Sequence, residues 1–332
     1  MAQGVLVVRK EPGMTSFGVV ARLRRIFEQK KIGHTGTLDP DAEGVLLVCL
    51  GRATHLVDHL STGTKAYEAV LLLGRKTDTQ DTTGEILEER PVNVREDEVR
   101  DAVLSFEGPQ MQLPPMFSAL KVDGKKLVNL ARRGIEVERT PREVTFSNIE
   151  ILKIDLPRVT FRVTCTRGAY IRTLCEDIGE KLGCLGCMEH LTRIRVGEFS
   201  IEEARTLDEI AALHEAGTPE KEYILPIDYF YRAYPAYLVS GETEITAKHG
   251  GRFPKREAKP FAGEPYAELR EKEKTGEAAV GPGGKDDKIF KPAGGPLVVP
   301  EEKKIRLYGE EVGFIGTFYK DRGLYRQFQM YM

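Results

Sequence analysis

The chain has 332 residues, 41% of them hydrophobic and 30% charged, with a formal net charge of −2. That balance belongs to a globular protein long enough for two cored domains, and it gives no global support for a nucleic-acid partner. No apolar run approaches the roughly 20 residues that span a bilayer, the N-terminal MAQGVLVVRK enters a strand pattern at once, and five scattered cysteines are an odd number, so a cytoplasmic protein without membrane anchor, signal peptide or disulfide framework is expected.

In chain order, residues 4–8 read as a strand. Thr15 or Ser16 then caps a helix in which Val19, Val20, Leu23, Ile26 and Phe27 repeat at helical spacing, with the intervening arginines facing away. Residues 45–50 and 66–73 read as strands, the first of them buried, and a helix runs from Asn93 to about Phe106. QLPPMFSALKVDGKKL is broken by prolines, a basic helix is expected around 129–133, and a strand at 144–154. RVTFRVTCT alternates with period two, placing Val159, Phe161, Val163 and Cys165 on one face. GAYIRTLCEDIGEKLG is an amphipathic helix closed by Gly183, followed by a strand from about His190 to Val196 and a helix at 202–213. This mixed order implies an α+β domain over 1–228, built on a largely antiparallel sheet.

Residues 256–300 are rich in charge, Gly and Pro and poor in apolar side chains, the composition of a disordered insertion. Strand-like AYLVS before it and a hairpin in KIRLYGEEVGFIGTFY after it, turning at Gly309 to Val312, imply one small β domain over 232–332 that the insertion interrupts.

Charge is local rather than global. Between Pro115 and Arg142, seven basic residues (Lys121, Lys125, Lys126, Arg132, Arg133, Arg139, Arg142) face three acids (Asp123, Glu136, Glu138), and Arg22, Arg24, Arg25, Lys30 and Lys31 form a second cluster. Charge alone does not separate solvated helix faces from a phosphate-binding surface.

The chemistry-bearing stretch is HTGTLDPDAEG, residues 34–44. Asp39, Asp41 and Glu43 before Gly44 imitate the start of a calcium loop, but the twelfth position counted from Asp39 is Leu50, inside a strand, so that reading fails. Asp39, restricted by Pro40, either caps a turn or supplies a reactive carboxylate. An aspartyl-phosphate enzyme would also place an Asp near T-G-T, but the dispersed acids that hold magnesium do not accompany it. Cys184 and Cys187 form a lone CxxC without a second pair, His190 beside it reads as structural, and no metal site is assigned.

KIGHTGTLDPDAEGVLLVCLGRAT resembles the catalytic signature of the TruB family of tRNA pseudouridine synthases. The resemblance continues in order through KAYEAVLLLGRKTDTQDTTGEI, LPPMFSALKVDGKKLVNLARRG and TRGAYIRTLCEDIGEKLG, over residues 5–215. It implies the pseudouridine-synthase fold and isomerisation of the T-loop uridine of tRNA, conventionally numbered 55, without cofactor or metal and by a protein acting as a monomer. It makes Asp39 the essential carboxylate, which attacks C1′, stabilises oxocarbenium character or removes the 2′ proton. It further implies Arg172 as its guanidinium partner and Tyr67 stacking on the uracil. Tyr170 and Leu191 would shape the pocket, and His34 would fill the gap left by a base that must leave its stack. Lys121, Arg132 and Arg133 would sit in an RNA-gripping insertion at about 110–142 that contacts the T arm. Asp81 falls in a further family motif, although Thr83 stands where relatives carry an acid. The small β domain takes the place of a PUA domain. Two alternatives stay open: a guide-RNA-dependent synthase of the same family, and an RNA-binding or RNA-folding module without catalysis.

Overall fold

The computed structural model describes residues 1–262 and 303–331. Its first part contains, in chain order, β1 (Gly4–Lys10), α1 (Ser16–Ile26), β2 (Ile32–His34), β3 (Glu43–Leu50), α2 (Val57–Leu60), β4 (Lys65–Leu73), β5 (Arg75–Thr77), β6 (Ile86–Glu89) and α3 (Glu96–Leu104). β7 (Gly108–Gln112), β8 (Lys121–Val122), β9 (Lys125–Lys126), α4 (Leu127–Ala131), β10 (Arg142–Asp155), β11 (Arg158–Cys165), α5 (Ile171–Lys181), β12 (Gly186–Val196), β13 (Phe199–Ser200) and α6 (Leu207–Glu215) follow. A mixed sheet runs β1-β3-β12-β4-β11-β10-β7, with β2 beside β3 and β13 beside β12. Every pairing in it is antiparallel except β12 on β3.

β3 reads as an unbroken apolar run because both of its faces are covered. Leu46, Val48 and Leu50 pack with Val19, Val20 and Leu23 of α1, while Val45, Leu47 and Cys49 pack with Ala53, Leu56 and Phe230 on the other side. Gly44 opens the strand at φ 112°, and a Cβ there would stand 2.2 Å from the Arg193 carbonyl oxygen. That close approach lets β12 pair with β3 and brings the loop before β3 against Leu191. A third core joins β4, β10 and β11 to α3 and α5.

Several boundaries differ from the sequence expectation, for identifiable reasons. β12 starts at Gly186, not His190, because a bulge between Met188 and His190 interrupts its ladder on β4 and breaks the period-two pattern. The helix expected at 202–213 begins at Leu207: Thr206 closes a capping box with Glu209, its hydroxyl accepting from the Glu209 amide at 3.2 Å. The basic helix runs Leu127–Ala131 and ends before Arg132 and Arg133.

The second sheet is formed by β14 (Ala236–Val239), β15 (Phe253–Pro254), β16 (Lys259–Pro260), β17 (Lys304–Gly309), β18 (Gly313–Asp321) and β19 (Leu324–Met330), in the order β15-β19-β18-β17-β14-β16. The β17–β18 hairpin lies where the sequence placed it, whereas α7 (Gly241–Lys248) and β19 were not read. The expected insertion is shorter at its start: Ala258 is buried and Lys259–Pro260 pair with β14. Its remaining residues, 263–300, lie outside the described part.

β16 and β17 flank β14 on opposite sides, with Phe261 donating to the Ala236 carbonyl and Arg306 opposite the same residue. The described residues on either side of 263–302 are therefore about two strand spacings, roughly 10 Å, apart. Replacing that segment by a short Gly/Ser linker should leave the melting temperature nearly unchanged, because closure entropy depends weakly on length. Calorimetry of the shortened chain checks this.

The two sheets share a seam. Tyr331 and Phe314 join the core that holds Phe230 and Tyr231, and Tyr308 donates to Asp228 at 2.7 Å. Arg306, fully buried, donates to the Tyr234 carbonyl at 2.9 Å.

Candidate active site

The loop between β2 and β3 delivers Asp39 to a cavity of about 290 Å³. Its wall includes Leu191 and Met188 of β12, Asp81 and Thr83 from the turn between β5 and β6, Phe117, and Val128 and Arg132 from the basic segment. Arg172, second residue of α5 and only 5% exposed, reaches Asp39 with two nitrogens: Nε lies 3.0 Å from Oδ2 and Nη2 lies 3.3 Å from Oδ1. The same guanidinium donates to the carbonyls of Thr79 at 2.7 Å and Phe117 at 2.8 Å, and its Nε is 3.7 Å from Asp81. A planar fork is thereby saturated in one orientation, which an ammonium would not reproduce.

Burial raises the Asp39 carboxyl above its ordinary value, with the Arg172 charge opposing that shift, Asp81 adding to it and Lys10 also opposing it. The side chain remains 35% exposed and lines the cavity, so a ligand can approach the carboxylate from the side that Arg172 leaves open. Asp81 is capped locally: the hydroxyls of Thr79 and Thr83 donate to its Oδ1 at 2.7 and 2.6 Å. Thr83 thus acts as a donor to Asp81.

Not every residue singled out in the sequence faces this cavity. Tyr67 lies in the adjoining core on β4, opposite Arg193; burial pushes its phenol up to about 12, so it is a neutral hydroxyl at physiological pH. Tyr170 precedes α5, and its backbone is gripped by Gln112, which donates to its carbonyl at 3.0 Å and accepts from its amide at 2.7 Å. His34 stands in β2, its pKa lowered by burial and then by Arg193; its Nδ1 is buried without a hydrogen bond among the described residues. Arg132 lines the cavity, while Lys121 and Arg133 are exposed outside it.

Lys10 was missed. It ends β1 on the same side as Leu6 and Val8, is 0% exposed, and its Nζ donates to the carbonyls of Glu11, Pro40 and Ala42 at 3.0, 2.8 and 2.6 Å. A lysine in phase with buried positions was the available signal. Burial pulls its pKa down to about 8, against the pull of Asp41 and Asp39, so it stays charged at neutral pH and ties the chain just after Asp39 to the end of β1. Lys10→Met should lower stability by about 2 kcal/mol, since bonds from a charged donor are lost. It should also slow turnover roughly tenfold or more by loosening the turn. A urea titration and a rate measurement on the same preparation test both.

A carboxylate held by a buried guanidinium lines a cavity that also carries Asp41, Asp81, Glu189 and, at its edge, Arg132, a grouping of titratable side chains typical of a catalytic cleft. Residues 24–171 match the model described as TruB family pseudouridylate synthase (N terminal domain), and residues 172–231 match that of the tRNA pseudouridylate synthase B C-terminal domain. The chain belongs to the TruB family of pseudouridylate synthases. Among its relatives, tRNA pseudouridine synthase B of Alkaliphilus oremlandii is 50% identical over 226 residues, covering 68% of this chain and 74% of that one. The protein of the same name from Bacillus subtilis is 43% identical over 257 residues, covering 75% and 83%. Among solved structures, a Cbf5-Nop10-Gar1 complex contains a chain 25% identical with a TM-score of 0.63, covering 99% of this chain and 85% of that one. An H/ACA RNP bound to a substrate RNA containing 2′-deoxyuridine contains one at 23% and 0.63, covering 99% and 85%, a likeness of fold. No helix among the described residues is long and apolar enough to cross a membrane.

Proposed function

We propose that this chain isomerises the T-loop uridine of tRNA, position 55, to pseudouridine, and that Asp39 is the carboxylate that acts on it. The observation that carries the assignment of Asp39 is the two-point Arg172 fork on a half-open carboxylate inside the cavity. In the net reaction the C1′–N1 bond breaks, the uracil turns, C5 bonds to C1′, C5 loses a proton and N1 gains one. Arg172 opposes the burial that disfavours the ionised form of Asp39 and holds it in register for attack on C1′, for stabilising positive charge there, or for taking the 2′ proton.

Leu191 and Met188 offer an apolar wall to a flat base; Tyr67 is assigned to stacking on the uracil and Tyr170 to shaping the pocket, each from just outside the cavity lining. His34 is assigned to the space the base leaves. Arg132 at the rim, with Lys121 and Arg133 beyond it, would take phosphates of the T arm and so position rather than specify. The second sheet is read as a PUA-like RNA-binding domain, and the protein as a monomer in the cytoplasm.

The test is incubation of the purified protein alone with unmodified tRNA, followed by mapping of pseudouridine. Product at the T-loop position supports the assignment. Product only when a guide RNA is added would move the chain to the guide-dependent branch, and tight binding without product would make it a non-catalytic module.

A further inference from the structure

Between Asp78 and Gly84 the chain makes a turn whose two contacts with Arg172 come from Thr79 and Asp81, the neighbours of Gln80 on either side. Gln80 itself does not line the cavity. It has φ 63°, a left-handed conformation that a non-glycine residue holds only when its surroundings impose it.

Those surroundings are visible, and every polar group of Gln80 is engaged. Its amide donates to the Thr77 carbonyl at 3.3 Å, and its carbonyl accepts from the Met188 amide at 3.0 Å. Its side-chain oxygen accepts from the Thr173 hydroxyl at 2.8 Å, and its side-chain nitrogen donates to the Glu176 carboxylate. Glu176, 14% exposed, is braced in turn by Lys76 at 3.4 Å. On α5, Glu176 follows Arg172 by four residues and shares its face. One helical turn therefore holds the loop twice: Arg172 binds its backbone and Asp81, and Thr173 with Glu176 pins the side chain between them.

We propose that Gln80, clamped by Glu176, is a positioning residue that fixes the Asp78–Gly84 turn against Arg172 and so sets the geometry of the Arg172–Asp39 pair. This rests on the proposed role of Asp39 in pseudouridine formation. The residue acts through Arg172 and touches no substrate, so it governs the chemical step and not RNA affinity.

The test compares Gln80→Gly, Glu176→Ala and the double variant in single-turnover assays with saturating full-length protein and unmodified tRNA. Glycine accepts the left-handed φ, so the turn keeps its path while the clamp is removed. Each single variant is expected to lose about tenfold in rate, within the range that small misplacements of reacting groups produce. The double variant should be no slower than the worse single one, since both remove the same link. The tRNA dissociation constant and the melting temperature should stay near wild type. A wild-type rate for Gln80→Gly, independent losses that multiply in the double variant, or a rate loss matched by lost tRNA affinity would each overturn the inference. Should Gln80→Gly not fold, Glu176→Ala alone decides, by the same rate criterion. Asp39→Asn runs alongside: its turnover would sink the underlying assignment whatever Gln80 does, whereas an inert Asp39→Asn beside a fully active Gln80→Gly would sink this inference alone.

Discussion

Asp39→Asn is expected to abolish pseudouridine formation, by on the order of 10⁴-fold or more, while tRNA binding stays within a few-fold of wild type. The amide is nearly isosteric, so the cavity keeps its shape. It carries no negative charge, and neither nucleophilic attack on C1′, electrostatic stabilisation there, nor proton abstraction survives that loss. Affinity should persist because phosphate contacts from the exposed basic residues between Lys121 and Arg142, not the carboxylate, dominate RNA binding. Single-turnover assays paired with filter binding separate the two quantities. Substantial turnover by the purified variant would remove Asp39 from the reaction.

Arg172→Ala should cost nearly as much by a different route. It strips the charge that opposes burial at Asp39 and leaves the Thr79 and Phe117 carbonyls without their donor. Removing one member of a buried pair typically costs about 3–5 kcal/mol. Arg172→Lys should recover little, since a single ammonium cannot serve Asp39, Thr79 and Phe117 in their fixed directions.

The pH dependence carries a definite sign. The active form of Asp39 is ionised, and its carboxyl titrates above the ordinary value of 3.8, so the wild-type rate falls with decreasing pH through that raised value. Without Arg172 the carboxyl rises further, and the acid limb of any residual activity must move to higher pH. A pH–rate profile of Arg172→Ala with an unmoved acid limb would show that the guanidinium does not tune the acid.

Local pattern made much of the architecture legible: the capped amphipathic α1, the apolar β3, the alternating β11 and the β17–β18 hairpin all follow from period and turn chemistry. What it could not show was assembly across the chain. Arg172 reads as one more arginine near the start of an amphipathic helix, and it is buried because residues 133, 93 and 55 positions away close over it. A bulge between Met188 and His190 hid the start of β12, and the Thr206–Glu209 box shifted α6. β14 and β17 are parallel neighbours separated by a long segment, so no hairpin signal joined them. Lys10 was overlooked because a charged residue at a strand end usually marks the surface.

The double-sided burial of β3 bears on which partner yields when the complex forms. Asp39 sits four residues before a strand clamped on both faces, and Lys10 fastens the connecting turn at Pro40 and Ala42. A loop so anchored has little freedom to reach toward a nucleotide, so the adjustment falls to the RNA. The barrier to entry then belongs to the substrate: transcripts with a loosened T loop should react faster and those with extra tertiary pairing slower, on an unchanged protein. On that expectation the Asp39 loop is a fixed template, and the tempo of modification follows the folding of the RNA.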